Sequence, residues 1–311
     1  LVIGTLTTLV MLPAAILRRL AEARGIPCLA IENCFRSDRF VWDDRTGTTL
    51  ASPIPRMLHA ARPDRPGAEV HFAAYRRRIA ELKSAEHRNA GAADLPRAGG
   101  RRILLIGQVA TDSSVLFHLG AGFRDQMPVF DTVLAHAAVT PGATVLVKTH
   151  PKEAGGLSPA FTRYSTERYV RFAERVAAAG CAGRVHLDTT GAIDILEAID
   201  WADLCVTINS QAGLEAAAAG RPLLLCGAAS YDHLASVTRT TTPAALAAAL
   251  AGPTPSAAPQ EARAFFKCFC EDYARPRSIA ALARLVAERP VAPPLAEAGR
   301  PAPASERLDG S

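Results

Sequence analysis

Val145-Leu-Val-Lys148-Thr-His150-Pro151-Lys152 is an apolar run that stops abruptly in polar residues. The same pattern occurs upstream in Ile103-Leu-Leu-Ile-Gly107-Gln108 and downstream in Thr207-Ile-Asn209-Ser210-Gln-Ala-Gly213-Leu-Glu215. Short continuous apolar runs with polar breaks at their ends read as strands buried on both faces. In an open parallel α/β sheet the polar ends lie at the carboxyl edge of the strands, the edge where such folds bind ligands. Strand ends carrying Asp112, His150 and Ser210 are therefore expected to converge on one crevice, although they lie far apart in the chain.

Outward from this stretch the pattern alternates regularly. Strands are expected at 103–107, 144–148, 184–187, 204–208 and 222–226, with helices near 128–138, 160–179, 191–200 and 211–219. Such alternation specifies a parallel, doubly wound sheet. Further helices are expected at 244–251 and within 260–285. Upstream, Leu1-Val-Ile-Gly4 reads as a strand already in progress, so residues are expected to precede it. Leu12, Ile16 and Leu20 share a helical face that turns basic at Arg18-Arg19, and Cys28-Leu-Ala-Ile31 closes a βαβ unit at Glu32. Residues 1–17 are apolar, but they lack a basic leader and are interrupted by Pro13, so strand, turn and helix fit better than a signal or a span. Residues 43–68 read as loop with one helical turn around Met57, and His71 to Arg88 as a helix facing inward with Phe72, Tyr75, Ile79 and Leu82. The expected organisation is an α/β fold with two Rossmann-like parallel-sheet units. These are an N-terminal acceptor-side unit over 1–95, truncated at its start, and a donor-binding unit over 101–252. C-terminal helices over 258–289 and a disordered Pro/Ala-rich tail over 290–311 complete it.

The chain of 311 residues is 49% hydrophobic and 21% charged, enough for two modest cores. Its net charge of +5 is scattered apart from Arg76-Arg77-Arg78 and Arg101-Arg102, which read as solvated helix faces rather than a nucleic-acid patch. Seven cysteines without a C-x-x-C pair, mostly inside apolar runs, read as buried thiols of a reducing cytosol rather than a disulfide framework.

Each strand end suggests a chemistry. Asn209-Ser210-Gln-Ala-Gly213 opens a helix whose free N–H groups and dipole suit a phosphate; a glycine there permits close approach, and Glu215 one turn on suits a ribose hydroxyl. The plain alternative is that Ser210 is simply an N-cap. His150, held extended by Pro151 and flanked by Lys148 and Lys152, suits an anionic ligand, either as a hydrogen-bond donor to phosphate or as a proton donor to a leaving group. Gln108-Val-Ala-Thr-Asp112-Ser113-Ser114 supplies a carboxylate that can serve as base or covalent nucleophile, or else merely cap a short helix over 115–118. A dinucleotide glycine fingerprint and metal-ligand motifs are missing from the sequence, so neither a nicotinamide cofactor nor a bound metal is expected.

The series Glu32-Asn-Cys-Phe35-Arg36-Ser37, Gly107-Gln108-Val-Ala-Thr-Asp112-Ser113-Ser114, Leu119-Gly120-Ala-Gly122, Lys148-Thr-His150-Pro151-Lys152 and Thr207-Ile-Asn209-Ser210-Gln-Ala-Gly213-Leu-Glu215 resembles the capsular polysaccharide synthesis/export family of Gram-negative bacteria, in the same order over residues 1 to about 250. Members of that family include Kdo transferases that build the lipid-linked linker of capsules. The resemblance implies a GT-B-like architecture, a CMP-activated Kdo donor and no metal or other cofactor. It matches Asp112 to the catalytic nucleophile or base, His150 and Pro151 to the pair at the donor phosphate, and Ser210 and Glu215 to the nucleotide-receiving helix. Gln108, Ser113, Lys148, Lys152, Asn209 and Gly213 complete the expected substrate-binding set, with Lys148, Lys152 or Arg124 as the partner of the sugar carboxylate. The partners implied are a nucleotide-sugar donor, a lipid-linked glycan acceptor, an anionic inner-membrane surface approached from the cytoplasm, and other capsule assembly proteins, with no nucleic acid. Asn33-Cys34 replaces the family's acidic-glycine pair, a departure on the acceptor side; the loop after Gly227 reads Ala-Ala-Ser-Tyr231-Asp232-His233, so the donor sugar is expected to be open to variation. A nucleotide-sugar epimerase of similar architecture and a non-catalytic scaffold of a capsule export complex are the alternative readings.

Overall fold

A computed structural model describes residues 2–4, 16, 20–21, 23–26, 28–34, 38–44, 49, 51–86, 94–97, 99–110, 112, 115, 119–154 and 159–288 of the chain. Most of the helix expected at Leu12 to Leu20, the Arg18-Arg19 pair, Ser113 and the tail from 290 lie outside the described residues. In chain order the strands are β1 (Val2–Gly4), β2 (Cys28–Asn33), β3 (Arg39–Asp43), β4 (Arg102–Ile106), β5 (Thr144–Lys148), β6 (Val185–Asp188), β7 (Leu204–Thr207), β8 (Leu223–Leu225), β9 (Val237–Arg239) and β10 (Arg275–Pro276). The helices are α1 (Ile54–Ala61), α2 (Ala68–Glu86), α3 (Met127–Val139), α4 (Pro151–Ala154), α5 (Pro159–Ala178), α6 (Ile195–Trp201), α7 (Gln211–Ala218), α8 (Pro243–Ala251), α9 (Pro259–Cys268) and α10 (Ile279–Ala287), with a π-helical turn at Phe269–Tyr273.

Six strands form one sheet in the order β6-β5-β4-β7-β8-β9, every pair parallel. The first strand in sequence, β4, lies at the centre; β5 and β6 extend to one side and β7 to β9 to the other. This is the doubly wound order, and its topological switch point lies between β4 and β7, where a crevice opens beyond the carboxyl ends. Both faces are covered, which explains the near-continuous apolar strands. Ile103, Leu105, Val145, Val147, Val206 and Leu224 pack in one core that includes Phe130 and Val133 of α3, Phe172 of α5 and Leu246 of α8. Leu104, Ile106, Leu146, Cys205 and Leu223 pack in the other, with Ile199 of α6, Leu214 of α7 and Phe265 of α9. The alternation of neighbouring residues between the two cores is the pleat itself.

The second sheet is mixed rather than wholly parallel, a correction to the expectation of two parallel sheets. Its order is β1-β2-β3-β10, with β1 parallel to β2 and the other two pairs antiparallel. Only residues 34–38 join β2 to β3, far too few for the crossover that a parallel pairing requires. The last strand comes from the other end of the chain. After α9, Trp42 Nε1 donates to the Tyr273 carbonyl at 3.0 Å, the Tyr273 hydroxyl returns a bond to the Trp42 carbonyl at 2.6 Å, and Arg39 Nη1 donates to the Ala274 carbonyl at 2.9 Å. Phe266 of α9 meets Phe72 and Tyr75 of α2 at ring separations of 5.1 and 4.8 Å. The C-terminal helix α9 thus packs on α1 and α2 as well as on α7.

Four elements depart from the sequence pattern. β3 and β9 are short, and β9 carries only Val-Thr-Arg at the sheet edge. α1 spans eight residues rather than one turn because Ile54, Pro55 and His59 are buried against the rest of the chain. α6 begins at Ile195 rather than 191 because Asp194 caps it, accepting from the Leu196 and Glu197 N–H groups at 2.7 and 3.3 Å. Six of the seven cysteines are buried, and Cys28 is half-buried.

Candidate active site

A glutamine bridges the strand ends at the switch point. Gln108, just beyond β4, is buried, and its Oε1 accepts the Asn209 N–H at 2.9 Å, tying the ends of β4 and β7 together. Gly107 lets the neighbouring strand end approach, since a side chain there would lie 3.1 Å from the Lys148 carbonyl oxygen. The loops after β4, β5 and β7 are thereby held side by side at one edge.

Beyond Gln108 the chain turns tightly, with the Asp112 N–H donating to the Val109 carbonyl at 2.9 Å and the Asp112 carbonyl accepting from Val115 at 3.0 Å. Asp112 is partly exposed at this edge. Glu32, near the end of β2 in the mixed sheet, stands close enough for the charge of Asp112 to act on it. Burial pushes the Glu32 carboxyl up to about 7; the Thr49 hydroxyl, which donates to Oε2, works against this, and Asp112 and Asp43 add to it. A carboxyl that titrates near neutrality opposite a second carboxylate has the properties of a proton-transfer group. The role of Glu32 is not legible in the sequence, because only the facing of two separate sheets brings it to Asp112.

After β5, Pro151 opens the short helix α4, the favoured place for proline. His150 Nδ1 accepts the Lys152 backbone N–H at 3.2 Å. Burial, then the charges of Lys152 and Lys148, push the imidazole down to about 4, so it is neutral at pH 7. With Nδ1 engaged as acceptor, the proton sits on Nε2, and His150 is a hydrogen-bond donor rather than a cationic acid.

Lys148 is paired within the chain. Its Nζ lies 2.8 Å from Asp188 Oδ2, and both side chains are buried. Burial of Asp188 opposes its charge, but Lys148 and the N–H groups of Ile193 and Ala192 outweigh that and hold the carboxyl below its usual range. The pair fixes β5 to β6 and the loop before α6. Lys152 and Arg124 remain exposed.

Ser210 caps α7 from an extended backbone, its Oγ accepting the Ala212 N–H at 3.3 Å. The helix start faces the same edge as His150 and Asp112. Gly213 is not a gap for an anion, because a side chain there would come within 2.5 Å of the Tyr231 hydroxyl, which donates to the Ser210 carbonyl. Glu215 has a structural partner within the chain: Oε1 accepts the Tyr75 hydroxyl of α2 at 2.5 Å, in a buried bond between elements 140 residues apart. Of the basic cluster on α2, Arg76 pairs with Asp200, leaving Arg77 and Arg78 exposed. Among the described residues no three His, Cys, Asp or Glu side chains are grouped to hold a metal ion, and no helix is long and apolar enough to cross a membrane.

Comparison with solved structures finds KpsC, beta Kdo 2,4 transferase, of Thermosulfurimonas dismutans, at a TM-score of 0.50 and 16% identity, over 88% of this chain and 83% of that one. A second KpsC structure from that organism, beta Kdo 2,7 transferase, gives 0.49 and 15% over 93% and 99%. The UDP-GlcNAc 2-epimerase of Methanocaldococcus jannaschii gives 0.37 and 8% over 86% and 75%. The first of these likenesses agrees with a GT-B-like α/β fold. No curated protein matches the sequence. The family described as Capsule polysaccharide biosynthesis protein matches residues 57–258, more than half of the chain and all of its parallel sheet, and the protein belongs to that family.

Proposed function

We propose that the protein is a glycosyltransferase that moves an acidic sugar, Kdo, from its CMP ester to a lipid-linked acceptor or growing glycan. The observation that supports this reading is that the loops bearing Asp112 and His150 and the capped start of α7 follow the adjacent parallel strands β4, β5 and β7 at one edge of the sheet. In the reaction the bond between the anomeric carbon and the CMP phosphate oxygen breaks, and its electron pair leaves on the phosphate. The Nε2–H of His150 and the N-terminal turn of α7 stabilise that developing charge, which in a closed cleft is commonly the largest catalytic contribution. Asp112 either attacks the anomeric carbon, leaving Glu32 to take the acceptor hydroxyl's proton, or takes that proton itself. Retained anomeric configuration in the product marks the first route and inversion the second. Lys152 and Arg124 are the exposed cations offered to the sugar carboxylate.

Asp112→Asn tests the assignment, because it removes the charge and almost no volume. Transfer from CMP-Kdo to a lipid-linked acceptor, followed by mass spectrometry, should fall about 10³-fold or more with the fold and CMP binding intact. Undiminished transfer in that variant would remove Asp112 from the reaction.

A further inference from the structure

Glu153 lies in α4, three residues after His150, and is 3% exposed. Its own N–H donates to the His150 carbonyl at 2.9 Å, so its main chain belongs to the turn that carries the histidine. Its carboxylate reaches elsewhere. Oε1 accepts the Ala110 backbone N–H at 3.1 Å and the Ser165 hydroxyl at 3.4 Å, and Oε2 accepts the Tyr169 hydroxyl. Ala110 is the second residue of the tight turn closed between Val109 and Asp112. In such a turn the N–H of the second residue has no partner within the turn, so the N–H of half-buried Ala110 takes its partner from outside it. Glu153 supplies it.

A carboxylate kept in an interior is costly unless donors surround it. Here the donors come from the Asp112 turn and from α5, while the backbone that holds the carboxylate is the His150 turn. We propose that Glu153 is a positioning residue that sets the spacing of Asp112 and His150 by pinning the 109–112 turn to the His150-Pro151 turn. Tyr169 and Ser165 fix the carboxylate's own orientation from α5. The proposal rests on the assignment of Asp112 and His150 to the reaction. A misplacement of about 1 Å can cost about a hundredfold in rate, so the spacing is a catalytic quantity as well as a structural one.

The test compares Glu153→Ala and Glu153→Gln in the full chain. Glutamine keeps an acceptor oxygen for Ala110, and the Tyr169 hydroxyl can reverse to meet the amide. Alanine has no acceptor. Glu153→Ala should lower kcat about tenfold to a hundredfold with the donor KM changed less than about threefold, and Glu153→Gln should recover most of the loss. Amide hydrogen exchange supplies a readout independent of any donor: the peptide covering 107–115 should exchange faster in Glu153→Ala, while the β5 strand exchanges as before. Unchanged exchange at 107–115, a uniform rise across the core, or faster exchange there with kcat unaltered would each overturn the proposal. If no nucleotide sugar is turned over by the unaltered protein, the transferase reading fails, and the pinning stands or falls on the exchange alone. Should Glu153→Ala not fold, Glu153→Asp, too short to reach Ala110 but still charged, replaces it with the same expected outcomes.

Discussion

Asp112 and Glu32 carry the same functional group in opposite settings. Asp112 is partly exposed on a turn, whereas Glu32 is buried between β3 and the Thr49 segment and titrates near 7. The sign of the resulting pH dependence follows from linkage. The folded carboxyl holds its proton up to about 7, while the unfolded one releases it near 4.5. Glu32 therefore contributes stability that is present below the unfolded value and is lost as pH rises through 7. Glu32→Gln cannot ionise, so its stability relative to the unaltered protein should grow from pH 5 to pH 8, by up to about 3 kcal/mol, read from urea midpoints. Parallel stability profiles would mean that Glu32 is already ionised in the folded protein. Asp112, His150 and Ser210 were legible in the sequence because each follows an apolar run. The partners of Lys148 and Glu215, Asp188 and Tyr75, were not legible because they lie 40 and 140 residues away and no local spacing announces them.

Among the elements, α7 shows how a signal can be found and its reason missed. The start at Ser210 is readable as a cap before a small-residue helix, and the helix is present. Gly213 reads equally well as an opening for phosphate, yet its missing side chain is what lets Tyr231 reach the Ser210 carbonyl. Gly213→Ala should therefore destabilise the protein by about 1–3 kcal/mol through overpacking, and Tyr231→Phe in the same chain should restore part of the loss. Thermal denaturation of the single and double variants checks this; additive losses would place the strain elsewhere. The parallel strands were read to within a residue or so because both faces are buried. β3, β9 and β10 were not, since strands of two to five residues at an edge or in a hairpin leave too few positions for a period to emerge.

At the scale of the whole molecule, the two sheets are joined by α9 and the turn after it. These place Phe265 and Phe266 in the core shared by α2, α7 and the β3 strand, and send β10 back to the first sheet. A return of this kind is invisible in a sequence, because the joining strand is two residues long and its partner lies more than 200 residues upstream. The buried aromatic contacts and the Tyr75–Glu215 bond carry this union; exposed pairs such as Arg76–Asp200 add little. The arrangement leaves the carboxyl edge of β4, β5 and β7 facing the side of the mixed sheet that bears Glu32, and the donor is proposed to lie there.

Thermal denaturation of the intact chain with CMP, UDP or GDP, in the presence of EDTA, tests that placement most directly. A ligand at a hundred times its Kd adds about 2.7 kcal/mol, a shift of several degrees. CMP should produce the largest shift, and His150→Ala should remove it by deleting the Nε2–H donor. A larger response to UDP, a requirement for added magnesium, or an undiminished CMP response in His150→Ala would contradict a CMP-sugar seated at the switch point.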